Sequence, residues 1–119
     1  MSYVDGFLIP VPKKKLALYK KMAQLGKKVW MSHGALGYME AIADDVKPGK
    51  WTSFPQAVKL KKDEVVWFSY IVYKNRKHRD AVNKKVMADK RLAAFMDPKK
   101  MPFDGKRMMW GGFKAMVKS

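Results

Sequence analysis

Residues 64–73 read EVVWFSYIVY, and this run decides the fold. Its β-branched and aromatic content is that of a strand, and its length suits one strand crossing a sheet. Successive strand side chains point to opposite faces, so Val65, Trp67 and Ile71 lie on one side and Val66, Phe68, Tyr70 and Val72 on the other, with only Ser69 interrupting. A sheet with one wet face alternates apolar and polar residues, whereas a strand covered on both sides reads as a continuous apolar run. This strand reads as covered on both sides.

Working outward, residues 3–11 form a β-rich run that Pro10 and Pro12 bring to a stop. Residues 12–33 turn helical, with Leu16, Leu18, Tyr19, Met22, Ala23, Leu25, Val29 and Trp30 on one arc and Gly34 as the stop. Residues 36–46 read as a second strand ended by Pro48-Gly49, and residues 51–60, with Pro55, as an irregular crossing or short edge strand. Beyond the deciding strand, residues 75–89 suit a helix supported by an Asp80/Lys84 pair, and residues 90–96 a short one. Residues 106–117 form the last strand, with Met108 and Trp110 on one face and Met109 and Phe113 on the other. The order βαββαβ predicts an α+β fold, a four-stranded antiparallel sheet with its helices on one face. With 119 residues, 1–119 is expected to be a single domain. Two helices cover one sheet face, and an open apolar second face is what soluble monomers avoid, so a homodimer with sheets packed face to face is expected.

Composition narrows the chemistry. The absence of cysteine excludes disulfides, thiolate metal sites and cysteine nucleophiles, and two isolated histidines make no zinc signature, so no metal site is expected. No apolar run approaches the ~20 residues of a membrane helix, and Asp5 stands where a signal peptide wants a basic start, so a cytoplasmic protein without membrane contact is expected. Basic residues number 26 against 10 acidic, a net charge of +16, and 22 of them are lysine. Lysine is a hydrated point charge without the planar fork that reads guanine, which disfavours a sequence-specific DNA reader. Residues 62–68, KDEVVWF, also lack the glycines of an RNA-recognition strand. Lys13, Lys20 and Lys27 lie seven apart, as do Lys14, Lys21 and Lys28. These two stripes are either a solvated face, a non-specific nucleic-acid or polyanion surface, or a lysine enrichment with no native role.

A few polar residues interrupt apolar elements. His33 falls in the apolar arc of the first helix, as a general base or haem ligand, or as a helix-terminal histidine facing the dipole. Asp5 and Glu40 are carboxylates inside predicted strands, where a charge is costly unless paired, hydrated or functional. They form either a proton-transfer pair in a cleft between helix and sheet, or partners for Arg107 or a lysine. Gly111-Gly112 inside a strand marks a bulge, a subunit contact or a flat ligand floor. Trp51, Phe54, Trp67, Trp110 and Phe113 either wall an aromatic pocket for a small molecule or are core.

Six motifs are familiar together: YVDGF at 3–7, HGAL at 33–36, ADDV at 43–46, TSFPQAVK at 52–59, VMAD at 86–89 and MPFDGKRMMWGGF at 101–113. In these the chain resembles the YbaA family of small bacterial proteins of unknown function, related to the dimeric α+β barrel superfamily. The resemblance implies a ferredoxin-like protomer and a barrel-like dimer. Through superfamily analogy it points to a small-molecule-binding or cofactor-free catalytic protein, with the cleft near Asp5, His33, Glu40 and Trp67. No cofactor is expected, haem being the one candidate, and no catalytic set carries over residue by residue.

Overall fold

The expected strand Glu64–Tyr73 (β3) forms over its full length and pairs antiparallel with Tyr3–Pro12 (β1), Tyr3 opposite Tyr73 and Pro12 opposite Glu64. Gly37–Ile42 (β2) adds to the other side of β3 and Met109–Lys114 (β4) to the other side of β1, giving the order β2-β3-β1-β4 with every pairing antiparallel. The computed structural model describes residues 2–95 and 97–119.

Pro10 and Pro12 do not break β1 as expected, and the reason lies in the sheet order. β4 pairs only with Tyr3–Leu8, so both prolines stand where β1 has a free edge and no ladder donor is needed. The expected first helix divides into a 3-10 turn, Lys13–Lys15, and the helix Leu16–Ser32 (α1), whose buried residues are Tyr19, Ala23, Gly26 and Val29. Leu18 falls outside that arc and is exposed. β2 is shorter than expected at both ends; beyond Ala43, whose N–H still donates to Val66 O, the chain bends away at Asp44 and Asp45. The ambiguous stretch holds a one-turn helix, Phe54–Ala57 (α2), capped by the Ser53 hydroxyl and with Pro55 in its first turn. Helix α3, Arg76–Met87, is capped by the Asn75 side chain, and Asp80 stands beside Arg79 Nε instead of Lys84. A 3-10 turn, Lys90–Phe95, replaces the expected short helix, whose last residue, Met96, lies outside the described residues. β4 begins later than expected because Arg107 turns aside to Glu64 and Asp104.

Both long helices pack on the face that carries Asp5, Ile9, Trp67, Ile71 and Tyr73. One core cluster joins Val29, Ile71, Tyr73, Val82 and Val86; a second joins Ile9, Val11, Tyr19, Ala23 and Trp67. On the opposite face Phe54 of α2 meets Phe68 edge-on, while Met39, Phe68, Met109 and Phe113 are exposed. Among the described residues no helix is long and apolar enough to cross a membrane.

Candidate functional site

Between the two clusters α1 stands away from the sheet over a cavity of about 380 Å³. Met22, Ala23, Gly26 and Trp30 roof it, inward residues of β1, β2 and β3 floor it, and Met87, Phe95, Met101 and Trp110 also line it. Two carboxyl groups, Glu40 and Asp5, are built into this apolar lining.

Glu40 is partly buried on β2. Its Oε1 accepts from the Tyr19 hydroxyl of α1 at 2.8 Å, and its Oε2 accepts from the Tyr38 hydroxyl at 2.8 Å. Burial pushes the Glu40 carboxyl above its usual range, against the opposing hydrogen bonds of Tyr19, Tyr38 and Ser69. Burial, then the neighbouring Glu40 charge, holds both phenols well above theirs. Tyr19 is fixed by Trp67, whose ring centre lies 4.7 Å away.

Asp5, only 1% exposed, sits on β1. Its Oδ1 stands 3.7 Å from Arg79 Nε, close enough for an ion pair and too far for a hydrogen bond, so both atoms are buried without a hydrogen-bond partner. Burial raises this carboxyl too, while Arg79, Tyr73 and Asn83 oppose the shift. The guanidinium is held by its own Nη2 donating to the Tyr3 hydroxyl at 2.9 Å and by lying over the Tyr3 ring. Gly112 makes room for this: a Cβ there would collide with the Tyr3 hydroxyl and with Arg79. Nearby, the Asn83 Oδ1 accepts from Trp30 Nε1 and from the Tyr73 hydroxyl, each at 3.1 Å.

Asp5 and Glu40 therefore share one cavity without forming the expected proton-transfer pair. Asp5 is opposite Ile71 and Glu40 opposite Ser69, with β3 between them. Two strand spacings across and two residues along separate their backbones by roughly 12 Å. They are two polar ends of one apolar space.

The other expected residues scatter. His33 is not part of the cavity lining: it caps the C-terminus of α1, and its Nε2 lies 2.7 Å from Asp89 Oδ2, which Arg91 also holds. The helical arc that placed it toward the sheet ends one residue earlier. Trp110 lines the cavity, stacked beside Phe7, whereas Trp67 supports it from behind Tyr19. Trp51 is 86% exposed, and Phe54 and Phe113 belong to the opposite face. Gly111 and Gly112 form no bulge, since the β1–β4 register runs unbroken through them. Lys13 and Lys14 lie in the 3-10 turn, so neither stripe runs along one helix with Lys20, Lys27, Lys21 and Lys28. Arg79, Tyr19, Tyr38, Tyr73 and Asn83 escaped the sequence reading. Their signal was faint: three hydroxyls, one amide and one guanidinium placed on otherwise inward-facing positions.

A family model for proteins of unknown function, DUF1428, matches residues 2–105. The chain belongs to the DUF1428 family. DUF1428 relatives include the Uncharacterized protein YbaA of Escherichia coli (strain K12) and that of Shigella flexneri, each 44% identical over 117 residues that cover 98% of either chain. The resemblance read from the motifs thus holds across nearly the whole sequence. The fold agrees with a solved structure described as a dimeric ferredoxin-like protein from an uncultured marine organism, at TM-score 0.61 and 12% identity over the whole of both chains. This DUF1428 chain therefore has an α+β, ferredoxin-like fold.

Proposed function

We propose that the chain binds a small, largely apolar molecule between α1 and the sheet, as a homodimer joined through the opposite sheet face. The observation that carries this reading is the largely apolar cavity of about 380 Å³, into which the Asp5 and Glu40 carboxyls are set with the polar groups of Tyr19, Tyr38, Ser69, Tyr73 and Asn83. A fold that only needed a core would place aliphatic side chains there, because burying a carboxyl costs free energy that no packing gain returns. Apolar walls with a few placed polar groups are the makeup of a small-molecule site. A carboxyl raised by burial is also suited to taking or giving a proton, which Glu40 and Asp5 offer at opposite ends. The dimer reading rests on exposed Met39, Phe68, Met109 and Phe113, with support from the neighbour described as dimeric.

The test is an NMR titration of the labelled chain with ethylnaphthalene. Saturable shifts at the Trp30 and Trp110 indole protons and at the Ser69 amide are expected. Ser69→Leu, which grows into the cavity floor, should abolish them while leaving the fold intact. Unchanged spectra, or equal binding by the leucine variant, would refute the reading.

A further inference from the structure

We infer that the occupant is an amine: an apolar or aromatic molecule carrying one protonated amino group, seated against the Glu40 carboxylate between the hydroxyls of Tyr19 and Tyr38. The inference rests on the cavity being a binding site, as proposed above, and adds the chemical class.

The argument begins with charge balance. Four carboxylates are not solvent-exposed: Asp5, Glu40, Glu64 and Asp89. Asp5 has Arg79, Glu64 has Arg107, and Asp89 has Arg91 and His33. Glu40 alone has no cationic partner within 4.0 Å among the described residues, in a chain with 26 basic residues to draw on. Lys20 and Lys27 of α1 line the groove on the other side of Glu40, yet neither pairs with it. A partly buried charge held only by neutral hydroxyls is incompletely compensated. A bound ammonium supplies what the chain withholds.

Hydrogen-bond capacity points the same way. The phenolic protons of Tyr19 and Tyr38 are spent on Glu40, and that of Tyr73 on Asn83. What remains free at the Glu40 end is acceptor capacity: the second lone pairs of the carboxylate oxygens and those of the two phenols. At the other end Asp5 Oδ1 is likewise an acceptor without a hydrogen-bond partner. At the Glu40 end an incoming carboxylate, phosphate or ketone would meet acceptors with acceptors. An ammonium brings three donors and no acceptor, the complement of what this end of the cavity offers. The apolar body then extends toward Met87, Phe95 and Trp110. The strongly basic exterior and this acceptor-lined interior therefore favour opposite ligands.

The test compares three probes of one shape, naphthylmethylamine, naphthylacetate and ethylnaphthalene, in NMR titrations at low-micromolar protein. The amine should bind at least about tenfold more tightly than ethylnaphthalene, a difference of ~1.4 kcal/mol, and naphthylacetate more weakly than either. Glu40→Gln, which keeps an acceptor but removes the charge, should erase the amine's advantage and leave ethylnaphthalene affinity within about twofold. Equal affinities for amine and hydrocarbon, or an advantage that survives the glutamine variant, would overturn the inference and leave the binding site standing. Failure of all three to shift cavity resonances would overturn both. If the variant does not fold, the wild-type ranking decides, together with the Glu40 carboxyl carbon resonance. That resonance must move on adding the amine and stay in place on adding ethylnaphthalene; the reverse overturns the inference.

Discussion

A methyl group on Gly26 would stand 2.6 Å from the Tyr38 hydroxyl oxygen, so the bare position in the middle of α1 is what lets Tyr38 reach Glu40. Glycine inside a helix costs about 1 kcal/mol relative to alanine. Here that loss accompanies a hydrogen bond between two residues of β2, directly beneath the helix.

Gly26→Ala is therefore expected to give no stabilisation in the wild-type chain, because the helix gain is offset by displacement of the Tyr38 hydroxyl from Glu40. In a Tyr38→Phe background the nearest ring atom is 3.5 Å from the new methyl, an ordinary contact, and the same substitution should stabilise by about 1 kcal/mol. Urea unfolding of the four chains of this double-mutant cycle measures the difference. Equal effects in both backgrounds would mean that Gly26 is not there for Tyr38.

The pH dependence of stability follows from the directions of the carboxyl shifts. Asp5 and Glu40 are raised in the folded chain, which therefore holds their protons more tightly than the unfolded chain does. Their effect on stability is least unfavourable below the ordinary carboxyl pKa of about 4, and becomes a penalty as pH rises through the raised values. Glu64, held low mainly by its hydrogen bonds from Arg107, works the other way: its contribution is present above the ordinary pKa and is lost as pH falls through the lowered one. Glu40→Gln should accordingly gain on the wild type between about pH 4 and pH 7, whereas Glu64→Gln should lose over the same interval. Chemical denaturation at both pH values checks the two signs.

Much of this was legible from the sequence, and the misses have physical causes. β3 was readable to the residue because a continuous apolar run leaves no ambiguity of period, and Ser69, its single interruption, stands on the cavity floor. Asp5 and Glu40 were readable as costly carboxylates, but their separation depends on β3 lying between β1 and β2, which no local pattern encodes. β1 runs on through Pro10 to Pro12, one residue past its expected end, because proline is tolerated at an edge, and which edge is free is a property of the whole sheet. His33 was misplaced because a helical wheel extends past the last turn, while its partner Asp89 comes from 56 residues further along the chain.

The exposed face opposite the helices carries the dimer prediction. Phe68 and Phe113 lie on it with Met39 and Met109, and Phe113 is 65% exposed. Sedimentation equilibrium at micromolar concentration should give twice the 13.7 kDa chain mass. Phe113→Asp, placing a charge on this apolar face, should weaken association by at least about 2 kcal/mol and yield a monomer that keeps its circular dichroism. A wild-type monomer at that concentration would leave the apolar face without the partner assigned to it.

Salt separates the two ligand chemistries that this charge distribution presents. Any binding of duplex DNA by the lysine surface releases counterions, so a footprint of ~4 lysines should lose over two orders of magnitude in affinity between about 50 and 200 mM salt. An ammonium entering the cavity approaches through the field of a chain with net charge +16, and added salt screens that repulsion. Its affinity should rise by roughly two- to threefold over the same range. Charge reversal of Lys13, Lys20 and Lys27, compared with reversal of Lys61, Lys84 and Lys99, then shows whether the exterior has a site. Lys13 lies in the 3-10 turn and the other two on α1, so the three form no continuous stripe. Equal losses of DNA affinity are expected from both triple variants, because each lowers the net charge by the same amount, whereas naphthylmethylamine affinity should gain more in the first, which reverses Lys20 and Lys27 in the groove beside Glu40. A selective loss of DNA binding in the first variant would instead identify a localised anion surface along α1. An amine affinity that falls with salt would contradict the approach of a cation to Glu40 through this field.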